Sequence, residues 1–436
     1  MFSSNEKLIN TNNYFSVLFA LLPVSFIAGN LIINFHVLII ILSTLFFYWK
    51  DLFKIKFLLL DKFFLLFFII VIFSGLYNDI YFLKNNLRDE NYNTTIKSFL
   101  FLRYLLLYFS LRFLVSNQII NLKYFFISCL FSTLFVSYDI FHQLIFGKDI
   151  FGFALPDHRK ISGPFGEELI AGGYLLRYSI FSLFFVIIFN SQISNKMNSL
   201  ILIILLVIFF TAIILSGNRM PLLMYIFTLF LIMTFQKQFK KFIIVFFSTF
   251  IIIFSLLFNF NSKVQSNFIN FYGQISKMIT IISKKDFENA PTYLKEFYSF
   301  YDVWLINKYT GGGIKNFWYY CQIESYDATE KIKVCNTHPH NYYLEILTEL
   351  GLVGFLIIIV IFYQILYLTF YRKYFTHLSL KCGAIITPFI FLFISEIFPF
   401  KGTGSFFTTN NATYLFIIIG TLIGLINRNN SIENRK

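Results

Sequence analysis

Long apolar runs return at short intervals along the whole chain from Tyr14 onward, and no other feature limits its fold so tightly. Runs of about 17–25 apolar residues are the expected unit of a membrane-spanning helix. At about 1.5 Å of rise per residue a helix of that length crosses the roughly 30 Å hydrocarbon layer of a bilayer. Backbone amides there have no water to bond, so the runs must be helical. Twelve spans are predicted, at 14–29, 31–49, 61–78, 97–115, 123–146, 169–189, 199–216, 220–235, 242–259, 343–370, 379–398 and 406–426. Tight turns at Gly29–Asn30 and Ser216–Gly217–Asn218 join two of the pairs. The expected fold class is all-α, a polytopic bundle of about twelve transmembrane helices. One domain is expected, in three stretches: 1–259 with nine spans, a large loop 260–342, and 343–436 with the last three.

Composition excludes a soluble alternative. Only 13% of residues are charged and 57% are hydrophobic, with 63 phenylalanines, against about 25% charged in an ordinary soluble domain. The net charge of +14 would suggest nucleic acid in a soluble protein. Here no basic helix or aromatic-basic repeat supports that, and nucleic acid is not an expected partner. The cations mark topology instead. With cytoplasmic termini, cytoplasmic segments carry seventeen lysines and arginines, Arg112 among them, and short opposite loops carry eight. That bias matches the positive-inside rule. Met1–Asn13 is polar with no cleavage site after it, so the first apolar run reads as a retained anchor. Arg103 and Arg177 fall inside spans.

On this topology the loop 260–342 lies outside the cytoplasm. Within it, Leu294, Phe297, Tyr298, Tyr301 and Leu305 recur at helical spacing over Thr292–Tyr309, between charged residues. This pattern fits a helix at the membrane interface, or else a lid packed on the bundle. Cys321 and Cys335 stand fourteen positions apart. In an oxidising compartment a disulfide is the favoured state. The rival is zinc, since Cys335, His338 and His340 form a C-x2-H-x-H cluster.

The segment around those histidines is the densest in chemistry. Pro339 disfavours helix for His338 and suits the start of a new one. His340 then enters the first turn of the tenth span. Glu345 and Glu349 follow on one helix face, and Gly351 and Gly354 permit close contact with a neighbour.

His340–Asn341, nine residues, Gly351, two residues and Gly354 resemble the signature of the O-antigen ligase and O-antigen polymerase superfamily of envelope glycosyltransferases. The layout is similar too: about twelve spans, cytoplasmic termini and one large periplasmic loop just before the signature, in a GT-C-like bundle. Ser216–Gly217–Asn218–Arg219 resembles the family's short loop with an essential arginine. Arg159–Glu168 resembles its loop before the sixth span, and Lys401–Phe406 its polar turn before the last. One departure stands out. Family ligases place a second arginine in the large loop, and residues 260–342 contain none. Lys295 and Lys315 are the substitutes on offer.

The resemblance implies an enzyme of the bacterial inner membrane with a periplasmic active site. It implies an undecaprenyl-pyrophosphate-linked glycan as donor, lipid A-core or a glycan as acceptor, and no cofactor or metal. Transfer is then a direct displacement with inversion. His340 is the expected general base, with His338 and Glu345 orienting it. Arg219 and Arg159 are expected on the pyrophosphate, with Lys295, Lys315 and Asn341 as further contacts. Glu167 and Glu168 are runner-up bases. A polymerase of the same superfamily is the alternative. A glycolipid transporter is the alternative of another class, and Arg103 and Arg177 are the residues that favour it.

Overall fold

The computed structural model describes residues 4–85, 93–155, 160–189, 194–236, 239–240, 243–284, 291–325, 334–376, 383–402 and 404–433. Among them are eighteen α-helices and no extended strand. The first seven are α1 Ser4–Ala20, α2 Leu22–Ala28, α3 Asn30–Leu52, α4 Leu59–Lys84, α5 Asn93–Phe101, α6 Arg103–Ser116 and α7 Leu122–Phe146. Then follow α8 Ala171–Phe189, α9 Asn195–Leu215, α10 Arg219–Phe235, α11 Ile243–Phe260, α12 Ser262–Lys284, α13 Thr292–Ile306 and α14 Phe317–Ser325. The chain closes with α15 Tyr342–Leu366, α16 Arg372–Phe375, α17 Ile386–Glu396 and α18 Thr409–Glu433.

A helix stands at each of the twelve expected segments. Length and apolarity qualify eight described helices as spans, or ten if the bent pairs α1–α2 and α11–α12 each count as one. α10 and α17 are shorter apolar helices. The fold is an all-α polytopic bundle.

Its centre is α18, which lies against α6. The contact is close because Gly420 and Gly424, one turn apart, carry no side chain there. A Cβ at Gly424 would sit 2.8 Å from Val115 Cβ and one at Gly420 would sit 3.0 Å from Leu111 Cβ. Small residues at this spacing let backbones approach where lipid offers no hydrophobic push between helices. Arg112, expected as a topology-setting surface charge, is instead 3% exposed and ion-paired with Asp61, which also accepts from Tyr108 Oη at 2.6 Å. A long apolar helix hides which of its charges face the bundle.

α15 is broken at Gly351, whose φ is +65°. The break frees carbonyls that a continuous helix would use itself. Gly312 N–H donates to Thr348 O (3.0 Å), Gly313 N–H to Glu349 O (2.8 Å) and Leu352 N–H to Lys308 O (2.8 Å). From α4, Asn78 Nδ2 donates to Gly311 O at 2.9 Å. The turn 308–313 is thus plugged into the helix break. Any side chain at Gly351 would meet Tyr309 O at 2.2 Å. The glycine admits a loop rather than the expected second helix.

Candidate functional site

A cleft of about 830 Å³ opens between the start of α8, the start of α10, one face of α12 and the turn that leads into α18. Its lining holds four cations, Lys160, Arg177, Arg219 and Lys401, together with His338. Glu168, which is exposed, is the only acid among the described residues of that lining. Phe26, Ile170, Leu176, Met220, Ile275 and Met278 supply apolar wall.

Arg219 is placed from two sides. Its neighbour Asn218 accepts from Gly172 N–H at 3.1 Å and donates to Leu169 O at 3.0 Å, which ties the 216–219 turn to α8. The guanidinium donates to Asn267 Oδ1 (2.7 Å) and Gln274 Oε1 (3.2 Å) and lies 5.2 Å over the ring of Phe271. All three of these partners are on α12. That helix turns 102° from α11 and was not expected. Val264, Phe268, Phe271, Ile275 and Met278 carry its 3.6-residue period, a signal available in the sequence but diluted by the polar residues between them.

The histidines arrive on the segment after α14. Cys321 and Cys335 form a disulfide with a Cα–Cα distance of 5.6 Å, so neither thiol is left for zinc. Two residues of α13 hold the same segment. Ser299 Oγ accepts from Val334 N–H at 2.9 Å, and the buried Glu296 accepts from Asn336 Nδ2. α13 therefore turns Glu296, Ser299, Phe300 and Val303 inward, while Tyr298, Tyr301 and Leu305 stay exposed. It is packed on the bundle and still presents an apolar stripe outward.

His338 lines the cleft and stands edge-on to His340, with ring centroids 4.5 Å apart. Burial and the neighbouring ring lower the pKa of His338 to about 4, and burial lowers that of His340. Both rings are therefore neutral near pH 7, with a lone pair for a proton. His340 has φ +53°, left-handed backbone that costs a non-glycine residue on the order of 1 kcal/mol. Held strain of this kind concentrates at functional positions.

Other expected contacts fall elsewhere. Glu345 is not turned to the histidines. It accepts from Ser405 Oγ and Phe406 N–H and so fixes the turn before α18. Asn341 caps α15, accepting from Tyr343 N–H (3.0 Å) and Leu344 N–H (3.2 Å) and donating to Pro399 O (2.7 Å). Lys295 and Lys315 are not in the cleft wall. Arg159 lies outside the described residues, but the adjacent Lys160 lines the cleft. Arg103 donates to Leu100 O and Tyr104 Oη, away from the lining.

Arg177 is in the cleft, and its surroundings were not anticipated. It donates to Glu396 Oε1 (2.8 Å), Asn410 Oδ1 (2.7 Å) and Asn411 Oδ1 (2.6 Å). Glu396 also pairs with Lys401 at 2.7 Å and accepts from Tyr342 Oη. Four separate stretches meet at this carboxylate, and a fifth, α18, joins them through Arg177. Nothing in the local sequence of any one signals it, except that Arg177 sits within an apolar run.

A helical membrane protein with a cationic cleft and two half-buried imidazoles beside it, one of them bonded to Thr337 Oγ1 at 3.0 Å, has groups that can bind an anion and take up a proton. Residues 204–359 match the family model described as O-Antigen ligase, a stretch that contains Arg219, His338, His340, Gly351 and Gly354. That stretch is about a third of the chain, and the match supports a place in the O-antigen ligase superfamily. No curated protein matches the chain.

Proposed function

We propose that the cleft moves a glycan from undecaprenyl pyrophosphate to an acceptor such as lipid A-core, at the periplasmic face of the inner membrane. The observation that carries this reading is the cleft itself: four cations and His338 on a wall that continues into apolar surface. An acceptor hydroxyl attacks the anomeric carbon as the bond from that carbon to the pyrophosphate oxygen breaks. The product has inverted configuration. His340 takes the hydroxyl proton, with His338 beside it at the cleft wall. The leaving pyrophosphate gains charge, and Arg219 meets it with a planar fork that α12 holds in place. No metal takes part. The apolar wall receives the first units of the prenyl tail.

Transfer with detergent-purified enzyme and purified lipid-linked donor tests this. Arg219→Ala is expected to weaken donor use strongly, and Arg219→Lys to recover part of it, because a point charge replaces a fork. Equal activity of wild type and Arg219→Ala would remove the assignment. Offering lipid A-core or a second lipid-linked glycan as acceptor separates ligase from polymerase. A cysteine introduced at Tyr309, 67% exposed, should react with an impermeant reagent from outside the cell. Reaction only from the cytoplasm would invert the proposed topology.

A further inference from the structure

Arg177 and Lys401 share one carboxylate. The two cations are 12% and 8% exposed and Glu396 is 3% exposed. Two positive charges against one negative leave an excess positive charge inside the bundle, where an unbalanced charge is costly. Asn410 and Asn411 orient Arg177 without neutralising it. The Lys401 ammonium lies 5.1 Å over the ring of Tyr342. Beyond its ion pair it makes no hydrogen bond to a described residue. Arg177, Lys401, Asn410 and Asn411 all line the cleft.

This group is distinct from the Arg219 station. Asn218 anchors that station to Gly172 at the start of α8. Arg177 lies five residues further along the same helix, about 7.5 Å deeper. The first station is held by α12 and the second by α17, α18 and the turn between them. Neither Arg177, Glu396 nor Lys401 falls within the stretch 204–359 that matches the family model.

We propose that Arg177 and Lys401 form a second oxyanion subsite, deeper than Arg219, which takes a phosphate-type group and so supplies the missing negative charge. The glycosyl-transfer reading enters only in naming the source of that group: the donor pyrophosphate, or an anionic substituent on the acceptor.

Equilibrium binding of sulfate to the purified full-length protein tests the subsite without any transfer reaction. In an Arg219→Ala background sulfate should still bind. Adding Lys401→Gln should weaken it about tenfold or more, and Lys401→Arg should restore most of the affinity. A second arm needs no substitution at Lys401. Sulfate keeps its charge from about pH 6 to 10, whereas burial lowers the Lys401 pKa to about 8 despite Glu396. Of the neighbouring groups, Arg177 is always cationic, Glu396 is its carboxylate partner, Tyr342 donates to that carboxylate, and His338 is already neutral. Binding should therefore weaken as pH rises through 8.

Sulfate affinity that is unchanged by Lys401→Gln and flat from about pH 7 to 9.5 would overturn the proposal. The two cations would then serve only to hold Glu396. If Lys401→Gln does not fold, the pH arm decides alone. A short prenyl pyrophosphate that displaces sulfate identifies the donor as the source. Binding of both together identifies the acceptor. Sulfate binding in a protein that transfers no glycan would keep the subsite and remove the transfer reading.

Discussion

Residues 334–341 and the Glu396 group border one cleft, but they are held by different means. The histidine segment is a loop, pinned by a disulfide, two bonds from α13 and the cap at Asn341. Its rings are half-buried and make no ion pair with a described residue. Arg177, Glu396 and Lys401 are buried side chains of three helical or turn elements, cross-linked through one carboxylate. The first arrangement leaves lone pairs available to a substrate proton. The second fixes charge in a low-dielectric place and keeps its shape. Proton transfer needs the former, and anion binding with little reorganisation needs the latter.

Substitutions should separate the two. His340→Ala is expected to lower kcat by about 10²–10⁴ while the melting temperature and donor binding stay near normal. His338→Ala should cost less. Near-normal turnover in His340→Ala would pass the base to Glu167, Glu168 or the departing pyrophosphate. Glu396→Ala should do the opposite and act first on the fold. It strands two buried cations, a change worth about 3–5 kcal/mol, and should appear as a large fall in thermal stability in detergent. A stability equal to wild type would mean that the cations find water or lipid phosphate instead.

Replacing Cys321 and Cys335 together by serine tests how far the loop depends on its staple. A loop of this size is stabilised by about 3 kcal/mol on closure. The expected result is a drop in kcat at nearly unchanged donor affinity, because no cleft-lining group is lost. Unchanged kcat would show that Glu296 and Ser299 suffice.

The smallest effect concerns pH. Burial holds the pKa of His340 below the ordinary 6.5, so the neutral base is the majority form at pH 6.5 and above. The acid limb of kcat/KM should therefore lie below pH 6.5. A limb at or above that value would assign the proton to another group. Stability should fall in the same direction. Between pH 6.5 and the pKa of about 4 for His338, the unfolded chain binds more protons than the folded one.

The sequence determined the helical class, the positions of the twelve apolar segments and the chemical interest of His338–Asn341. These rest on composition and local spacing, which every residue carries with it wherever it ends up. It also pointed to the Cys321–Cys335 pairing and to Arg219. Tertiary structure alone decided that Gly351 opens α15 to the 308–313 turn, that Asn341 caps and Glu345 braces the 401–408 turn, and that α12 holds Arg219. It alone brought Arg177, Glu396 and Lys401 together. These residues are spread over positions 177–401, and what makes them a site is one shared carboxylate in a buried place. Neither spacing along the chain nor the hydropathy of any one helix contains that contact.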